Sequence, residues 1–268
     1  EWLWLSNKVY EDLGLPVPTN WDEFVASAPQ VREAGKLPLA LGDQPWQSNL
    51  AFGAMQIAVA GLDAWKAVNV DKNMDVAAGP EYAKVFEAAA AARELAKGSA
   101  VQDWNQATNL VITDQAAGQI MGDWAQGEFQ VANEVAGKDY TCLPGLGLNE
   151  YISTGGDAFY FPKLDDPEKE AAQKRLAAQL VSPEVQVAFN LKKGSLPIRG
   201  DVDLAAANDC MKKGLAILAG GNIVPSGDMV WSPDVQKQNE DLMVEFWKSD
   251  MPAADAHAKW VENLKSGL

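Results

Sequence analysis

Short apolar runs alternate with longer mixed stretches along this chain, and glycine and proline mark most of the changes between them. Ala117 to Met121 is one such run, broken by a single polar residue and long enough for a buried strand. Gly122-Asp123 is a turn pair, and Trp124 to Val135 favours helix, so the segment reads strand, tight turn, helix. Before it, Trp2 to Leu13 reads as a strand end entering a short helix stopped by Gly14, and Pro16 and Pro18 make a rigid connector. Thr19 or Asn20 can cap a helix over Trp21 to Ala34, with Asp22 and Glu23 in its positive first turn. Leu37 to Leu41 is a strand and Gly42 to Gln47 a loop. Ser48 to Ala60 and Leu62 to Val68 are helices, Pro80 to Lys97 is a long one, and Asp103 caps another from Trp104 to about Thr113. Beyond the central segment come a strand at Tyr140 to Leu143, a β-rich run at Tyr151 to Phe161, and helices over Glu168 to Val181 and Pro183 to Leu191. Ala205 to Leu218 is helical, Asn222 to Pro233 is a loop, and Asp234 to Trp247 and Ala253 to Lys265 close the chain as helices. Strands alternating with helices predict an α/β fold with a substantially parallel sheet.

In such folds ligands bind outside the carboxyl ends of the strands, where loops and helix N-termini converge. Trp124 is placed on that edge by the strand before it, and Trp46 and Gln47 by the loop after the preceding strand; Trp104 stands at the other helix start flanking the Trp124 strand. An indole there is a flat apolar plate suited to the C–H face of a sugar ring, although the residue type alone equally suits packing between helix and sheet. Asp157 follows Gly155-Gly156, which let the backbone bend so that a carboxylate can reach inward; as a residue it is also an ordinary turn aspartate. Lys193-Gly194 follows an amphipathic helix, where a lysine also complements the negative helix end.

Composition narrows the function classes. Hydrophobic residues make up 47% and charged residues 22% of the 268, as in ordinary globular proteins. The formal net charge of −15 repels phosphate backbones and anionic membranes, which disfavours nucleic-acid binding. No apolar run is long enough to span a bilayer as a helix. The two cysteines, Cys142 and Cys210, allow two buried thiols, a zinc half-site or one disulfide. His257 is the only histidine, so a metal site is not expected; it falls on a polar stretch that reads as solvated surface.

Five segments in order resemble one family. They are Met121-Gly-Asp-Trp124 after its strand; Gly14-Leu-Pro-Val-Pro-Thr-Asn-Trp-Asp-Glu-Phe24; Pro38-Leu-Ala-Leu-Gly42 followed by Pro45-Trp46-Gln47; Asp157-Ala-Phe159; and Phe189-Asn-Leu-Lys-Lys-Gly-Ser-Leu-Pro-Ile-Arg199. Together the chain resembles the extracellular solute-binding proteins of sugar ABC transporters, nearest to the glucose- and mannose-binding branch. The resemblance implies an α/β, periplasmic-binding-protein-like type II two-lobe fold, present here mainly as the second lobe. Residues 1–152 would be the second lobe, 153–205 a remnant of the first lobe, and 206–268 the return to the second lobe with the C-terminal helices. Family members carry a long strand-rich segment before the position matching Glu1. A separate N-terminal chain or segment completing the first lobe is therefore expected, and this chain by itself is expected to bind sugar weakly or not at all.

The same resemblance implies a periplasmic, or extracellular and membrane-tethered, location, a Cys142–Cys210 disulfide in that oxidising compartment, a monosaccharide ligand, and a membrane permease as partner. It assigns ligand contacts to Trp104, Trp124, Asp157 and Lys193, with Trp46 on the same edge. Glucose-binding relatives carry a histidine in the loop matching Val224 to Pro233; none stands here, and Asp228 or Trp231 is expected in its place. No cofactor is implied. Other classes are a glycoside hydrolase using Asp123 and Asp157 as a carboxylate pair, and a structural fragment without ligand. The contexts of those two aspartates give no reason for a raised pKa, and no nucleophile elbow, phosphate-cradling loop or histidine cluster is present, so the expectation is a binding protein and not an enzyme.

Overall fold

The structure is a computed structural model that describes all 268 residues except the side chains of Thr154 and Asp228. Its elements are β1 (Trp2–Ser6), α1 (Asn7–Leu13), α2 (Trp21–Glu33), β2 (Leu37–Ala40), α3 (Pro45–Asn69), α4 (Met74–Ala77), α5 (Pro80–Leu95) and α6 (Trp104–Ile112). There follow β3 (Ala116–Met121), α7 (Ala125–Val131), β4 (Tyr140–Pro144), β5 (Ile152–Thr154), α8 (Pro167–Leu180), α9 (Pro183–Lys193), α10 (Asp209–Ala219), β6 (Ile223–Pro225), α11 (Pro233–Lys248) and α12 (Ala253–Lys265).

The main sheet has the order β2-β3-β1-β4. β1 is antiparallel to both neighbours, pairing Leu3 with Ile120 on one side and with Leu143 on the other, while β2 and β3 are parallel. The expected substantially parallel sheet is therefore a mixed one. β2, β3 and β4 do share a direction, as alternation with helices implies. The opposing strand β1 is inserted between β3 and β4, and spatial order is not carried by alternation. Both central strands, β1 and β3, are buried along their whole length, so neither has the polar–apolar alternation that would announce an exposed face.

Two packed layers flank the sheet. On one side Leu3, Leu5, Phe24, Ile120 and Leu143 join Phe52, Phe86, Phe246 and Trp260 from α3, α5, α11 and α12 in the larger core. On the other side Trp4 stacks on Phe129, and Phe129 on Tyr140 with ring centroids 4.2 Å apart. Beside them the Cys142–Cys210 disulfide ties β4 to the first turn of α10 across 68 residues of chain. His257 is part of the first layer and not a solvated residue: it stacks on Phe86 at 5.1 Å, and its Nε2 lies 2.6 Å from the Ala77 carbonyl.

Other boundaries move for local reasons. The Gly42–Gln47 loop is shorter than expected, because Pro45 starts α3 at its first turn, where a missing N–H costs nothing. α3 then bends at Gly61, which has φ 82° and ψ 166°, so the two predicted helices meet at that kink. Of the β-rich run from Tyr151, only β5 is a strand; its parallel partner β6 lies within the expected 222–233 loop. Phe159, Tyr160 and Phe161 are exposed, α8 has no buried residue, and α9 buries only Asn190. Among the described residues no helix is long and apolar enough to cross a membrane.

Candidate functional site

A cavity of about 570 Å³ opens at the carboxyl ends of β2 and β3. Trp46, Trp104, Trp124, Asp157 and Lys193 line it together. Five of the six ligand contacts expected from the sequence thus share one cavity. The Asp228 side chain, the sixth, lies outside the described residues.

Each plate is held from behind. Trp124 follows the turn after β3, and its ring lies over Gly122; a Cβ there would fall 2.1 Å from Trp124 Cζ3, so the residue beneath the indole must be glycine. Trp104 begins α6. Its carbonyl accepts hydrogen bonds from Thr108 Oγ1 (3.0 Å) and from Nε2 of Gln119 (2.9 Å), a fully buried side chain of β3. Thr108 Oγ1 also lies 2.8 Å from Gln119 Oε1, so its one proton is shared between that oxygen and the Trp104 carbonyl. The single polar residue in the apolar β3 run is therefore the bolt between sheet and helix start. The two indoles meet edge to face, centroids 6.4 Å apart and planes at 86°, a geometry contributing about 0.5–1.5 kcal/mol beyond burial. Trp46 donates its indole N–H to Gln44 Oε1 at 2.6 Å, and Gln44 Nε2 donates to Asp103, the residue before Trp104.

The polar groups come from the opposite rim. Lys193 ends α9, and Gly194 follows in the left-handed region with φ 84°. A Cβ on Gly194 would lie 2.6 Å from Gln126 Cβ, so glycine lets α9 dock against α7 and brings the ammonium over the cavity. Lys193 forms an ion pair with Asp157. Glu128, Val131, Gly127 and Lys192 complete the wall. Sequence reasoning missed Glu128 and Val131, which lie one and two turns beyond Trp124 on α7.

Other expectations fall elsewhere. Gln47 is fully buried and points toward Gly42, so it packs inside and does not form a rim. Trp231 is not beside the two plates. Its N–H donates to Asn69 Oδ1 at 2.8 Å, and the Lys72 ammonium sits 3.4 Å from its ring centroid. That indole lines a second cavity on the far side of Trp46.

Asp123 departs from its sequence context. Burial pushes its carboxyl above the usual carboxylate range, against the opposing pull of Lys193, the Ser195 hydroxyl at 3.3 Å and the Trp124 backbone N–H. The folded protein then holds this proton more tightly than the unfolded chain does. The resulting stability is full below the ordinary carboxylate range and is lost as pH rises through the raised value. Asp123→Asn is expected to remove that loss. The variant should match the parent in acid and be more stable toward neutral pH, read as urea midpoints across pH; an offset that does not change with pH would contradict this.

The comparisons with known proteins give the family and the fold. The sequence profile of the bacterial extracellular solute-binding proteins matches residues 1–187, and the chain belongs to that family. A "Probable sugar-binding periplasmic protein" of Rhizobium meliloti (strain 1021) is 34% identical over 222 residues, covering 82% of this chain and 53% of its own length. An "Uncharacterized ABC transporter extracellular-binding protein" of Pyrococcus horikoshii is 30% identical over 206 residues, covering 74% of this chain and 45% of its own. The chain thus spans about half the length of the relatives it matches. Among solved structures, a maltose-bound MalE3 of T. maritima superposes with TM-score 0.77 at 18% identity, covering 100% of this chain and 70% of that one. A "Chitin oligosaccharide binding protein" does so with TM-score 0.74 at 16% identity, covering 99% and 68%. These likenesses are of the α/β solute-binding fold alone.

Proposed function

We propose that this chain supplies one wall of a sugar-binding cleft in the substrate-binding component of an ABC transporter. The cleft captures a glucose-like monosaccharide unit in the periplasm, or at the outer membrane face, for delivery to a membrane permease. The observation that carries this reading is the convergence of Trp46, Trp104, Trp124, Asp157 and Lys193 on one cavity. Indole faces stack on ring C–H groups, a carboxylate accepts two hydroxyl protons, and an ammonium donates to hydroxyl or ring oxygens. The names of the relatives support the sugar and the transporter.

In this reading residues 153–205 belong to the first lobe, in keeping with the absence of buried residues in α8 and the exposed Phe159 to Phe161. A further segment or chain completes that lobe, and closure of the two walls is a hinge motion. With one wall only, the chain binds sugar weakly. No covalent step and no cofactor is needed. Asp123 and Asp157 do not form a hydrolase pair facing the cavity: Asp157 lines it, whereas Asp123 does not and instead faces Ser195.

The test is a titration of the chain with glucose, galactose and mannose, followed by tryptophan fluorescence and by the indole N–H resonances of Trp104 and Trp124. Saturable changes at those two indoles, weakened in Lys193→Met, are expected. A chain indifferent to all three sugars would refute the ligand class, and micromolar affinity for glucose would refute the need for a second wall.

A further inference from the structure

One carboxylate on the sugar cavity has no work inside the protein. Trp124, Gly127, Glu128 and Val131 recur at the spacing of one helix stripe, and all four line the cavity. Trp124 already has helical backbone angles, φ −62° and ψ −19°. Glu128, four residues on, therefore stands beside it, with Cβ atoms roughly 5–6 Å apart. Gly127 is bare for a packing reason: a Cβ there would lie 3.0 Å from the Lys193 carbonyl oxygen. Glu128 is thus the one charged side chain that this stripe brings to the edge of the Trp124 plate. A pyranose lying on that plate directs its equatorial hydroxyls outward, past the edge of the indole.

We propose that Glu128 is a further ligand-binding residue and the one that sets the charge class of the sugar: its carboxylate accepts hydroxyl protons, holds amino sugars more tightly and turns sugar acids away. The proposal rests on the sugar reading of the cavity and deepens it by naming which sugars are refused. Two observations carry it. Among the described residues the Glu128 side chain has neither a hydrogen bond nor an ion pair, whereas Asp157 on the opposite rim is paired with Lys193. Both Glu128 carboxylate oxygens are therefore open to hydroxyl protons of a ligand. Glu128 is also half-buried, whereas Lys192, a second lining charge without a partner among the described residues, is exposed. Salt screens an exposed charge more than a partly buried one, so Glu128 acts on a bound sugar more strongly than Lys192 does.

The test compares glucose, glucosamine and glucuronate, followed by the Trp104 and Trp124 indole N–H resonances. A pH of about 6 keeps carboxylates ionised and amines protonated, and about 0.15 M salt damps the distant charges of the chain. Glu128→Gln keeps the shape and one acceptor oxygen and removes the charge. Relative to glucose, it should weaken glucosamine and tighten glucuronate, each by about fivefold, the size of one charge a ring's width away in a partly solvated site. A change in fold does not move two ligands in opposite directions. Glu33→Gln on α2, exposed and outside the cavity, removes the same net charge and should move neither ratio. If both ratios stay within about twofold in Glu128→Gln, or all three sugars weaken together, the role of Glu128 is refuted and the sugar cavity stands. If none of the three shifts either indole, the reading of the cavity fails and this one with it.

Discussion

Replacing Trp124 with alanine is expected to weaken saccharide binding by about 30-fold or more, the loss of ~2 kcal/mol that truncating a central tryptophan typically brings. The ring does three things at once. It forms one wall of the cavity, it braces Trp104 by an edge-to-face contact at 6.4 Å, and it covers Gly122. Alanine removes the stacking surface and frees Trp104 to tilt, so two plates are lost by one substitution. Stability should suffer far less, because Trp124 is only partly buried and lies at the edge of its packed cluster. Titration beside a urea unfolding curve separates the two effects. An unchanged affinity with an intact fold would remove Trp124 from the ligand wall.

The largest effect on stability is expected from the disulfide. Substituting serine at both Cys142 and Cys210 opens a loop of 68 residues, for which chain entropy gives a loss on the order of 4 kcal/mol. Both sulfurs are buried against the Trp4–Phe129–Tyr140 stack, so the variant also leaves hydroxyls in an apolar layer. The damage should reach the site. Asn208 caps α10 next to Cys210, and its side-chain oxygen accepts a 3.3 Å hydrogen bond from Gln126 of α7, the helix that follows Trp124. Loosening α10 therefore loosens the platform beneath the ligand wall. Equilibrium urea unfolding of the double variant against the parent measures this. A difference below about 1 kcal/mol, within the spread of surface substitutions, would show that the bridge constrains nothing the packing does not already hold.

Much of the site was legible because its residues announce local backbone chemistry. Gly122-Asp123-Trp124 after an apolar run can only be a strand leaving the sheet into a helix, which puts the indole on the ligand edge. Lys193-Gly194 marks a helix end by charge and by the left-handed glycine. Glu128 and Val131 were not legible: nothing at their positions distinguishes a helix face toward a cavity from one toward solvent. The raised pKa of Asp123 was equally hidden, since burial is set by neighbours from distant segments, Lys193 and Ser195 among them.

Taken by itself, the sequence determined the helices and the strands of the main sheet, the break at Gly61, which edge of the sheet gathers the aromatic plates, and the family to which the chain belongs. Those properties depend on neighbours within a few residues or on motifs kept in order. The tertiary structure alone decided that β1 enters between β3 and β4 in the opposite direction, that Gln47 is packed inside and His257 stacks on Phe86, and that Trp231 serves a different cavity from Trp124. Each of these is a matter of which distant surfaces meet, and hydrophobic pattern marks a surface for burial without naming the partner that buries it.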